Sequence, residues 1–199
     1  MKRGTVVVFS LCVVAGIAAI AHRLRVQPVR EDTSRVAVNV SSSSAAKEIP
    51  AKNQLIVAYT EAHGREIAPE YYPVVCTEFL IKIIDHFTPL GKQAKRDIRI
   101  ITEDDLSDLV NAEADVIKGV QVAFMKADIG KAVRIDEVCA GDFVQFWDTE
   151  FSLAWGHCGI VHQLVPGEYI SVYSSHPITS GYGIQRFPWP KKIFFARLK

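Results

Sequence analysis

The sequence predicts an α+β domain, with helices in its first half packed on an antiparallel sheet in its second. Three observations predict it. Apolar residues recur at three- and four-residue spacings through Cys76, Phe79, Leu80, Ile83, Ile84 and Phe87, which is the period of one buried helix face. From Asp142 onward the pattern changes to short runs rich in β-branched and aromatic residues, divided by turn signals such as Pro166-Gly167. The helical and strand-rich segments are segregated along the chain, which distinguishes α+β from alternating α/β organisation.

The elements follow in order. Residues 55–63 form a first helix. Pro73 opens a second, where the missing N–H costs nothing, and Pro89 and Gly91 close it. Thr102 followed by Asp105 reads as a capping box for a third. That helix carries Leu106, Leu109, Val110, Ile117, Val120 and Phe124 on one side, with Gly119 as its weak point and Gly130 as its end. Residues 142–147, 155–163, 168–173 and 192–198 are the strands of an antiparallel meander.

The N-terminus addresses the chain. Lys2 and Arg3 precede an uncharged apolar run from Thr5 to Ala21, the composition of a signal peptide or signal anchor. Ala19-Ile20-Ala21 suits a signal peptidase, but Arg23 and Arg25 follow at once and oppose translocation, which favours an anchor. Residues 1–25 are therefore read as a signal anchor or signal peptide. Residues 26–53, with Pro28, Pro50 and the run Ser41 to Ser44, are read as a flexible linker with little to bury. Residues 54–199 are the folded domain. The protein is expected to face the periplasm or the exterior from the membrane, or to be secreted if the leader is removed. A net charge of +1 without a clustered basic face gives nucleic acid no footprint. A monomer is expected.

Of the four cysteines, Cys12 lies in the apolar run, leaving Cys76, Cys139 and Cys158 in the domain. Three is odd, so one thiol stays unpaired in a monomer, and a Cys139–Cys158 disulfide would leave Cys76. No CxxC spacing supports a structural zinc. His157, Cys158 and His162 make a poor metal set, because adjacent residues on a strand point to opposite faces. No metal and no cofactor is expected.

Cys76 falls in the first turn of the second helix, where the partial positive charge favours thiolate over thiol. A small buried hydrophobe is the plain alternative, since Cys76 also lies on the apolar stripe. His157 lies in Trp155-Gly156-His157-Cys158-Gly159-Ile160-Val161 at a strand start, and imidazole titrates near neutrality as a general base must. An antiparallel return strand brings Ser174, Ser175 or His176 beside it to orient the ring, and His176 is the preferred choice of the three. Each of these also suits a turn before Pro177. Asp142, after Gly141, is read as a turn residue accepting backbone N–H bonds, and Gln145 as a polar group near the cleft.

The ordered set Tyr72-Pro73-Val74-Val75-Cys76, Gly141-Asp142-Phe143-Val144-Gln145-Phe146-Trp147 and Gly156-His157-Cys158-Gly159-Ile160-Val161 resembles the NlpC/P60 and CHAP branch of papain-like cysteine peptidases and amidases. The resemblance implies a papain-like fold, with Cys76 as nucleophile, His157 as base and His176 as the orienting group. It implies amide hydrolysis through a thioester, with a peptidoglycan stem peptide or another peptide as substrate. The chain departs from the pattern in the long insertion between Cys76 and His157, in Val75 where many members carry a polar residue, and in having no wall-binding repeat. Two other readings stand beside it. One is a papain-fold acyltransferase or thioesterase, although cysteine before histidine is the peptidase order. The other is an exported binding domain without catalysis.

Overall fold

The computed structural model describes residues 27–28, 48–150 and 153–199. The apolar run and most of the expected linker lie outside the described residues. The described chain is α+β: helices come first, and six antiparallel strands follow the main helices. Helix α1 spans Ala51–Ile67, α2 Cys76–Phe87, α3 Lys92–Arg99, α4 Leu106–Asn111 and α5 Val120–Lys126. The strands are β1 (Gln27–Pro28), β2 (Gly130–Val133), β3 (Phe143–Glu150), β4 (Leu153–Val165), β5 (Tyr169–His176), β6 (Gly181–Pro188) and β7 (Lys192–Leu198). Among the described residues no helix is long and apolar enough to cross a membrane.

The helical half differs from its sequence pattern in instructive ways. α1 begins at Ala51, so the ordered body starts ahead of the expected boundary at residue 54. α2 begins at Cys76, three residues after Pro73, with Val75 as its extended N-cap. The polar segment Lys92–Arg99 is a helix that buries only Ala94 and Ile98, too narrow a stripe for periodicity to reveal. The single long helix expected after Thr102 is broken into α4, a 3-10 turn at Asp115–Lys118 and α5. Gly119 makes the break, with φ +35° between the turn and α5. The cap of α4 is Asp105 itself, whose carboxylate accepts from Ser107 N and Asp108 N, while the Thr102 hydroxyl accepts from Asp104 N.

The sheet order is β1-β6-β5-β4-β3-β7-β2, and every pairing is antiparallel. β3, β4 and β5 form the first three strands of the expected meander, but its fourth, β7, pairs with β3, and β5 pairs instead with β6. Two strands escaped the sequence pattern. β2 is short and lies on the outer edge. β6 carries Gly181, Gly183 and Pro188, residues that read as turn signals in isolation.

The sheet separates two cores. On one face Phe143, Cys158, Ile160, Tyr173 and Ala196 pack with Ile56 of α1, with Cys76, Phe79, Leu80, Ile83 and Ile84 of α2, and with Phe124 of α5. On the other face Val144, Phe146, Val161, Ile170, Val172, Phe187 and Phe195 form a second cluster. This second face is concave. Phe187 on β6 and Phe146 on β3 are three strand positions apart in the order, about 14 Å in a flat sheet. Their ring centroids are 5.0 Å apart, so the sheet curls around them.

Candidate active site

Cys76 is the first residue of α2. Its N-cap, Val75, supplies no side-chain bond to the first turn, so that turn's partial positive charge is not offset by a capping oxygen. Glu78 also lies in the first turn, where its charge opposes a thiolate. Arg99 at the end of α3 answers it with two bonds to the carboxylate, at 2.5 and 2.9 Å. The bond to Glu78 holds the Arg99 guanidinium above its usual range, against the opposing effect of burial. Cys76 is only 5% exposed and belongs to the core between the helices and the sheet.

His157 lies on β4 opposite Phe146 of β3. Its ring packs 5.7 Å from that of Phe146, 5.0 Å from Phe187 and 5.2 Å from His176, all centroid to centroid. The His157 and His176 rings are perpendicular, at 89°. Continuing the β4–β5 register from Ile160↔Tyr173 sets His157 across from His176, as an antiparallel return requires. His176 Nδ1 accepts from Ile178 N at 3.1 Å, so in the neutral ring the proton sits on Nε2. The two serines weighed as alternatives are engaged elsewhere. Ser174 Oγ donates to Cys158 O at 2.7 Å, and Ser175 Oγ donates to Val74 O at 2.5 Å.

The structure thus brings His157 and His176 together on the concave face. Cys76 approaches from the other side. The alternation of β4 between His157 and Ile160 turns Cys158 and Ile160 toward the helices and His157 toward Phe146 and Phe187. What joins the two sides is the end of β5. Ser175 points to the helix face and grips the turn that precedes Cys76. Its neighbour His176 points to the concave face and touches His157. The glycines flanking His157 serve packing: a Cβ at Gly156 would lie 2.4 Å from the Trp147 ring, and one at Gly159 2.8 Å from Val172 Cβ.

Asp142 accepts Cys139 N at 3.0 Å, the turn bond its sequence position suggests. It also takes a two-bond contact from Arg197, at 2.7 Å for each, and one from Asn53 Nδ2 at 2.8 Å. Those partners come from β7 and α1, distant in sequence, and no local signal announces them. Gln145 is buried and donates from Nε2 to the His157 carbonyl at 3.1 Å, so it supports the β4 backbone and does not line an open cleft. Cys76, Cys139 and Cys158 are all thiols. Cys158 is sealed in the helix-side core, whereas Cys139 Sγ accepts from Arg197 Nη2 at 3.3 Å and Asn53 Nδ2 at 3.5 Å. Among the described residues no group of three His, Cys, Asp or Glu side chains is arranged to hold a metal ion. No family model, no curated protein and no solved structure matches the chain.

Proposed function

We propose that the chain is an exported cysteine hydrolase of papain-like type that cleaves amide bonds in peptidoglycan stem peptides. One observation carries the reading. The turn that delivers Cys76 to a helix N-terminus is hydrogen-bonded to the same strand end whose next residue, His176, contacts His157. In this reading nucleophile, base and orienting group, far apart in sequence, meet around that strand end. The perpendicular rings, 5.2 Å apart, let His176 pack against the His157 imidazole and hold its plane, leaving a His157 ring nitrogen to accept the thiol proton.

In this reading His157 takes the thiol proton of Cys76. The thiolate attacks the amide carbonyl, forming a C–S bond while the carbonyl electrons move onto oxygen. First-turn N–H groups of α2 face that oxyanion. Collapse breaks the C–N bond, and the imidazolium returns its proton to the leaving amine. Water, deprotonated by His157, then cleaves the thioester, releasing the carboxylic acid and restoring the thiol. The apolar residues 5–21 would hold the domain outside the cytoplasmic membrane, where the wall polymer lies. The reading needs no cofactor and no metal.

The test is digestion of purified peptidoglycan by the full chain in detergent, with mass analysis of the fragments. New amine termini are expected from the wild type and from neither Cys76→Ala nor His157→Ala. Unchanged sacculi would retire the wall polymer as substrate. A second reading, an exported binding domain without catalysis, is favoured by a specific observation: Cys76 and His157 start from opposite faces of the sheet, each 5% exposed. In that case iodoacetamide labels Cys76 no faster than Cys139 or Cys158 near neutral pH.

A further inference from the structure

We infer that Ser175 is a positioning residue that holds the Cys76 turn in place through the Val74 carbonyl. The inference rests on the hydrolase reading and assigns the dipeptide Ser175-His176 a double task. Successive residues on a strand face opposite sides. Ser175 projects to the helix face and donates to Val74 O, while His176 projects to the concave face and touches His157. One rigid strand end thereby registers the nucleophile's turn against the base.

The Val74 carbonyl stands just outside α2. The first helical bond of that turn runs from Phe79 N to Val75 O, so Val74 O needs a partner from elsewhere. The fully buried Ser175 hydroxyl provides it. Fixing the Val74 carbonyl fixes the plane of the Val74–Val75 peptide and, with it, the direction in which the first-turn N–H groups point. Val75 contributes no cap of its own. The aim of those N–H groups at the sulfur depends on the Ser175 bond, because an unanchored first turn frays.

The sequence around Ser175 hides this role. In Tyr173-Ser174-Ser175-His176-Pro177 either serine reads as turn chemistry or as a partner for His157. The strand's alternation decides otherwise: Ser174 bonds the Cys158 carbonyl and Ser175 bonds the nucleophile's turn.

The experiment measures the rate of iodoacetamide alkylation at Cys76 against pH in the full chain, by peptide mapping. The wild type is expected to titrate below the ordinary thiol value of about 8.5. Ser175→Ala should move that apparent value up by about one unit, slowing labelling at neutral pH about tenfold. Ser175→Thr, which keeps the hydroxyl, should restore the wild-type profile. Ser174→Ala, which removes an equally buried bond on the same strand, should leave it unchanged. If Ser175→Ala does not fold, Ser175→Cys carries the same comparison with a weaker donor. A wild-type Cys76 that titrates as an ordinary thiol overturns the hydrolase reading itself. A low wild-type value that Ser175→Ala does not move overturns the Ser175 assignment alone. Equal shifts in Ser174→Ala and Ser175→Ala overturn it as well, since they indicate general loosening of β5.

Discussion

Arg99 can bear on Cys76 through the charge it neutralises in the first turn of α2. It covers Glu78, which sits in the first turn of α2 only two positions after the thiol. Removing the guanidinium leaves a bare carboxylate in the same first turn as the thiol, where its charge opposes the thiolate. Both side chains keep about a third of their surface, so solvent screens the effect. Arg99→Ala is expected to raise the apparent pKa of Cys76 and slow its alkylation at neutral pH about two- to threefold. Arg99→Ala combined with Glu78→Gln should recover the wild-type rate. Labelling that is indifferent to Arg99 would show that the α2 N-terminus does not tune this sulfur. Of the candidate positions, the cysteine at a helix start and the histidine at the end of the return strand were legible, whereas His157 lies inside β4, which begins at Leu153, and not at its start. Arg99, Asn53 and Arg197 were not legible, because each acts across a sequence separation that carries no local periodicity.

At the scale of the element, β4 contains a bulge. Val161 pairs with Val172 and Gln163 with Ser171, which leaves His162 as the extra residue. A bulge re-aims one side chain without ending the strand. Here it directs His162 Nδ1 to Ser171 Oγ at 2.8 Å, with the ring 5.1 Å from Tyr173. Tyr173 OH in turn donates to Glu61 on α1 at 2.6 Å. Burial pushes the His162 pKa below its ordinary 6.5, and the Glu61 charge opposes that more weakly. The folded-state value is therefore the lower one, and the unfolded chain binds the extra proton as the solution acidifies. Stability should fall as pH drops through 6.5 and stop falling below the folded-state value. The expected slope from this group is at most one proton. Urea midpoints measured from neutral to mildly acid pH should show that slope in the wild type and lose it in His162→Gln. A slope that survives the substitution assigns it to other groups.

At the scale of the whole molecule, Asp142 joins two strands of the sheet through Arg197 and joins α1 to the sheet through Asn53. Asp142, inaccessible at the start of β3, receives Arg197 from β7 and Asn53 from α1. Gly141 beside it has φ +85°, and a Cβ there would lie 2.5 Å from Asn53 O, so α1 can approach only a glycine. Arg197 is 17% exposed, and its loss strands a buried carboxylate. Arg197→Ala should cost about 3 kcal/mol in chemical denaturation. Asp142→Leu with Arg197→Met should cost markedly less, because both charges leave together. Equal losses in the single and double variants would mean that shape, and not charge, holds this junction.

The sequence by itself determined the α+β class, the order of helices before strands, the first two pairings of the meander and the types of residue that carry polar chemistry. These follow from short-range periodicity, which records which side of a helix or strand is apolar. Tertiary structure alone decided which way the sheet curls, and so which side of β4 meets the helices. It sent Cys158 toward the Cys76 helix and His157 toward Phe146 and Phe187. It also made Ser175 the partner of the Cys76 turn. A period of two states only that neighbours face opposite ways; the packing of whole layers, where burial is shared among distant segments, assigns each side its neighbours.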